Sequence, residues 1–168
     1  KKETASEFLM DTIVDMQVHG NEADKVIEKS FSRMREIEDE MSKSIEKSDV
    51  SKINKNSAND WVEVDQDTFT VLKKAVDYAK LTNGNFDPTI GPLVELWGIG
   101  TDKAKIPNES EINKAKKLVN YKNIELDKKK QSIRFKKEGV KIDLGGIAKG
   151  YAADEVRNIA NSYNIKSA

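Results

Sequence analysis

Hydrophobic positions along this chain change their period several times, and each change marks an element. Over residues 6–19, Phe8, Met10, Ile13, Val14, Met16 and Val18 alternate unevenly with polar residues before Gly20 and Asn21, which predicts a strand closed by a turn. From Glu22 onward Ala23, Val26, Ile27, Phe31, Met34, Ile37 and Met41 recur every three or four residues, with Asn21 placed to cap them. This is a long amphipathic helix. Over 41–60 the periodicity is lost and Ser, Lys, Asn and Asp accumulate, so a long loop is expected there. A short strand over 61–64 then leads, through Asp65 or Asp67 as a cap, into a helix with Phe69, Leu72, Ala75, Val76 and Ala79 on its buried stripe. Thr82, Asn83 and Gly84 stop it.

The second half carries shorter periods. Asp87 stands before Pro88 and is therefore extended, and residues 89–97 can form a short helix with Gly91 and Pro92 near its start. Asn108 and Glu111 have capping-box spacing and open a helix through Ile112, Ala115, Leu118 and Val119. Three short strands follow, over 124–127, 132–135 and 140–144, and the simplest arrangement is an antiparallel meander. The last helix runs over 147–163 with Ala148, Tyr151, Ala152, Val156 and Ile159 buried. Strands and helices without strict alternation make the fold class α+β, antiparallel strands packed with several helices.

Composition removes several kinds of chemistry. The chain has 168 residues, one ordinary domain's worth, and its 29 basic residues equal its 29 acidic ones, so no nucleic-acid-binding surface is implied. Cysteine is absent, which excludes disulfides, thiolate metal sites and a cysteine nucleophile. His19 is the only histidine, and one imidazole does not make a zinc site. No apolar run reaches the roughly 20 residues of a membrane helix. The chain opens on Lys1 without an initiator Met and closes as an apolar strand would be starting, so we expect a piece of a longer protein.

Two segments stand out chemically. In the first, Lys141-Ile-Asp-Leu-Gly-Gly-Ile-Ala-Lys149, an acid, two glycines and a lysine converge where an expected strand turns into a helix. Glycines let backbone approach something bulky, and a helix start suits a phosphate. The bland alternative is a tight turn with Asp143 as a cap and Lys149 in water. In the second, Asn85, Phe86 and Asp87 are stiffened by Pro88, which suits either a small-molecule contact or a rigid turn over a core of Leu93, Leu96 and Trp97.

Taken together, Phe86-Asp-Pro-Thr-Ile-Gly-Pro-Leu-Val-Glu-Leu-Trp-Gly98 and Asp143-Leu-Gly-Gly-Ile-Ala-Lys-Gly-Tyr-Ala-Ala-Asp154 closely resemble the FAD:protein FMN transferase family, the ApbE-like flavin transferases. Phe8-Leu-Met-Asp-Thr12 resembles that family's Met-Gly-Thr strand, with Asp11 in place of Gly. Ser48-Asp-Val-Ser-Lys-Ile-Asn54 resembles its Ser/Asn loop, although residues 42–45 lack the family's stacking aromatic. The resemblance implies an Mg²⁺-dependent enzyme that splits the FAD pyrophosphate, releases AMP and attaches FMN through a phosphoester to Thr or Ser of a target protein. That target is often a subunit of a membrane redox complex. Alternatives are an FAD pyrophosphatase, a non-catalytic FAD-binding protein and a purely structural α+β module. Carried over by motif, flavin contacts fall on Met10, Asn85, Phe86, Asp87, Asp143 and Lys149, catalysis on Lys149 and Asp143, and a metal ligand on the backbone oxygen near Gly146. The resemblance also implies that residues 1–168 are the N-terminal part of the transferase domain, incomplete and inactive without a C-terminal half. It implies, further, an extracytoplasmic, membrane-anchored lipoprotein.

Overall fold

In the computed structural model, which describes residues 1–56, 58 and 60–168, the alternation at the N-terminus resolves into two strands rather than the one expected over 6–19. Strand β1 (Lys2–Leu9) pairs antiparallel with β2 (Thr12–His19), Phe8 facing Ile13 and Leu9 facing Thr12. The two-residue turn between them is Met10-Asp11, with φ of 54° and 59°. Positive φ at both central positions is the type I′ geometry whose twist matches antiparallel strands. The usual Asn-Gly signature is missing, so the alternation reads straight through the turn.

Two further elements complete this part of the chain. Helix α1 (Ala23–Met41) begins one residue later than expected and buries Val26, Phe31 and Ile37, each burial contributing about 1.5–3 kcal/mol. Helix α6 (Gly145–Ser162) supplies Glu155, whose Oε2 accepts from Arg33 Nε at 3.0 Å and Nη2 at 2.9 Å. Strands β1 and β2, residues 23–40 and residues 147–168 form one compact unit. The second unit is the continuous stretch 41–146. Both boundaries fall inside helices, at the last turn of α1 and the first turn of α6, which explains why composition shows no linker.

The second unit departs most from expectation. The stretch expected as loop contains helix α2 (Asp49–Asn56), while Ser57 and Asn59 lie outside the described residues. Ser48 starts the helix: its hydroxyl accepts the Ser51 N–H at 3.0 Å. Only Val50 and Ile53, both fully buried, carry the apolar stripe, too few for a period to show. Strand β3 (Val62–Glu63) and helix α3 (Gln66–Leu81) follow as expected. A 3-10 turn (Pro88–Ile90), α4 (Gly91–Trp97) and α5 (Glu109–Lys116) come next, α5 ending earlier than its apolar pattern suggested.

Strands β4 (Ile124–Asp127) and β5 (Ser132–Phe135) form an antiparallel sheet in the order β3-β5-β4. The third strand is thus β3, and residues 140–144 are not a strand. Their backbone hydrogen bonds go elsewhere. Asn54 clasps Ile142, its Oδ1 accepting the Ile142 N–H at 2.8 Å and its Nδ2 donating to the Ile142 carbonyl at 2.9 Å. The Asp143 N–H donates to the Pro88 carbonyl at 2.9 Å. The segment is apolar because Val140, Ile142 and Leu144 are buried, which imitates a central strand in sequence. The class remains α+β, as expected.

Candidate functional site

The second unit brings four of the expected site residues, Phe86, Asp87, Asp143 and Gly146, to one corner. Helix α3 stops through Asn83 and Gly84, at φ of 52° and 82°, and the chain reverses. The Thr82 hydroxyl accepts the Phe86 N–H at 3.1 Å, and Asn85 Nδ2 donates to the Thr82 carbonyl at 2.9 Å. Asn85 thus lies beside the corner, exposed, with its amide closing the turn.

Asp87 is extended, at φ −142° and ψ 116°, as the following proline requires. Its Oδ1 accepts from the Thr89 N–H at 2.8 Å and the Thr89 hydroxyl at 2.6 Å, and its Oδ2 accepts the Tyr121 N–H at 2.8 Å. Thr89, fully buried, in turn accepts the Asn120 N–H at 2.8 Å. The carboxylate therefore sews residues 87–89 to 120–121, and sequence reasoning gave no sign of this. Its partner Tyr121 lies 34 residues away.

Asp143 is placed by Ile142 and Pro88 as described above. Its Oδ1 accepts the Gly145 N–H at 2.8 Å, satisfying one of the free N–H groups that open α6, and its Oδ2 accepts from Lys43 Nζ at 2.9 Å. The two glycines belong to the first turn of α6 and not to a turn preceding it. A Cβ on Gly146 would stand 3.3 Å from Phe86 Cε2, so glycine lets the ring lie against the helix backbone. Lys43 is the charged member of this corner that sequence reasoning missed.

Met10 and Lys149 belong to the first unit. Met10 sits in the β1–β2 turn, its N–H donating to Glu38 Oε1 at 2.8 Å. Lys149 is exposed on α6.

The expected Mg²⁺ places a further demand on the corner. This ion demands near-octahedral oxygen coordination. Among the described residues no group of three or more Asp, Glu or His side chains could hold a metal, and the Asp143 carboxylate is already engaged on both oxygens. The Gly146 carbonyl alone does not make a shell, so the described residues do not fit the ion by themselves.

An α+β chain that brings a Phe-Asp-Pro-Thr segment against an Asp-Leu-Gly-Gly helix start has the two motifs of a flavin-transferase fold in contact. The chain belongs to the ApbE family, whose sequence model matches residues 10–168. The ApbE protein of Thermotoga maritima superposes with a TM-score of 0.91 at 40% identity, covering 97% of this chain and 53% of that one. A relative from Treponema pallidum named FAD:protein FMN transferase is 24% identical over 97% of this chain and 48% of its own length. One of the same name from Vibrio cholerae is 29% identical over 92% of this chain and 44% of its own. The chain thus spans about half the length of the curated relatives it matches.

Proposed function

We propose that this chain is the N-terminal portion of an FAD:protein FMN transferase. The hydroxyl oxygen of a Thr or Ser on an acceptor protein attacks the FMN-side phosphorus of FAD and loses its proton to solvent, the bond to the AMP phosphate breaks, and AMP leaves. One observation carries this reading: the Asp143 N–H to Pro88 carbonyl bond and the Phe86 ring against Gly146 join both family motifs in one corner. An apolar ring at Phe86 suits the face of a flavin or adenine. Phosphoryl transfer depends on positioning and charge neutralisation, for which the N–H groups opening α6 are suited. Met10 and Lys149, carried by the first unit, enter the proposal as a ring contact and a phosphate-neutralising cation. Asn85 and Asp87 enter as supports for the turn that presents Phe86.

Mg²⁺ enters this reading through the family resemblance alone, with Gly146 giving one oxygen and the other ligands coming from outside the described residues. So do the acceptor, a subunit of a membrane redox complex, and the location, an extracytoplasmic lipoprotein. Among the described residues no helix is long and apolar enough to cross a membrane.

The test is to incubate the full-length protein with FAD, Mg²⁺ and a Thr-bearing acceptor, and to measure flavin fluorescence on the denatured acceptor together with AMP. Covalent label and AMP in equal amounts are expected, and Lys149→Ala should lower turnover about a hundredfold, the scale of one transition-state donor. AMP with free FMN and no label would make the protein a hydrolase. Bound, intact FAD would make it a carrier.

A further inference from the structure

Lys43 has no counterpart in the motifs above, yet its ammonium reaches the carboxylate at the centre of the corner, 100 residues away in sequence. The side chains are 34% and 16% exposed, so Asp143 is largely withdrawn from water while Lys43 covers it. We propose that Lys43 is a positioning residue that holds and neutralises the Asp143 carboxylate, so that this corner accepts a diphosphate. This rests on the function proposed above.

Both ends of the ion pair are anchored by the same helix. Ser48, at the start of α2, donates its hydroxyl to the Ser42 carbonyl at 2.6 Å, and Ser51 donates its hydroxyl to the Lys43 carbonyl at 3.2 Å. Both serines are buried, at 1% and 7% exposure. Three residues further along, Asn54 clasps Ile142, the neighbour of Asp143. Ser48, Ser51 and Asn54 recur every third residue, so one polar edge of α2 grips the backbone on either side of the pair. Most surface lysine pairs lose their gain to the entropy of ordering a long side chain. Here the backbones are already fixed, and only the lysine stem remains to be ordered.

The electrostatic consequence follows from charge counting. A lone carboxylate beside the N-terminus of α6 would repel an incoming diphosphate. Paired with Lys43, Asp143 keeps its Oδ1 on Gly145, and the two side chains together carry no net charge. Lys43 acts through Asp143, and its loss is felt in substrate binding more than in the chemical step.

The experiment is a double-mutant cycle on the full-length protein with Lys43→Gln, Lys43→Arg and Asp143→Asn, reading KM and kcat for FAD separately. Lys43→Gln is expected to raise KM about threefold to fivefold with kcat changed by less than about twofold, the range of a partly exposed ion pair. Lys43→Arg should restore KM, and in the Asp143→Asn background Lys43→Gln should have no further effect. An equal effect of Lys43→Gln in both backgrounds would overturn the proposal, because Lys43 would then act independently of Asp143. A second measurement needs no turnover: the Lys43 ammonium ¹⁵N resonance in FAD-free protein should be visible and be lost in Asp143→Asn. A wild-type protein inert toward FAD would defeat the proposed function, whereas a resonance indifferent to Asp143→Asn would defeat the ion pair.

Discussion

Asp87 shows how one side chain can carry a motif for a reason different from the one its type suggests. As a carboxylate beside a phenylalanine and a proline it reads as a ligand contact, but its oxygens receive two backbone N–H groups and a buried hydroxyl. Replacement by Ala leaves the Thr89 and Tyr121 N–H groups without acceptors in a partly buried place, at about 1–3 kcal/mol for each group left unsatisfied. We therefore expect Asp87→Ala to lower stability by about 2–6 kcal/mol, measured as a shift of the urea midpoint at constant slope. A residue serving only a ligand would leave that midpoint in place. The identity of the residue was legible in sequence. Its duty was not, because the bond that ties it to the rest of the unit comes from Tyr121, 34 residues along the chain.

At the scale of elements, what could be read followed from local chemistry. The capping box of α5 is present as spaced, with Asn108 Oδ1 accepting the Glu111 N–H at 2.9 Å and Glu111 Oε2 accepting the Asn108 N–H at 2.9 Å. The Asn108 N–H, and then Lys105, hold the Glu111 carboxyl below its ordinary value of 4.5. A lowered folded value means that this contribution is complete above pH 4.5 and is lost as pH falls through the folded value beneath it. Amide exchange in α5 should accordingly be faster in Glu111→Ala than in wild type at pH 7, and the two should converge in acid. Asn108→Ala, which removes the other half of the box, costs about 1 kcal/mol at either pH. Elements whose signal was not local were misread. Strands β1 and β2 merged because Met10-Asp11 lacks the Asn-Gly signature of a hairpin turn, α2 was hidden because two apolar positions make no period, and residues 140–144 imitated a strand because they are buried.

For the molecule as a whole, the misreading of residues 140–144 has a long-range cause: a polar clasp takes over backbone groups that the sequence pattern assigns to a ladder. Residues 54 and 142 lie 88 apart, yet one asparagine side chain supplies both hydrogen bonds that a neighbouring strand would have given Ile142. The α+β class and the family motifs were legible because they depend on composition and short spacing. The corner they build, with Lys43 inside it, was not, since it depends on α2 closing over the chain from a distance. This makes Asn54 a test of how the second unit is held. Ile142 is 1% exposed, so in Asn54→Ala its N–H and carbonyl lose their partners without gaining water. The expected loss is about 2–4 kcal/mol in urea unfolding, with faster amide exchange at Ile142. Asn54→Asp keeps an acceptor for the N–H but turns an oxygen toward the Ile142 carbonyl, so it should fail to restore stability. If Asn54→Asp matched the wild type, the carbonyl half of the clasp would be dispensable, and the N–H alone would hold Asp143 at its place beside Pro88.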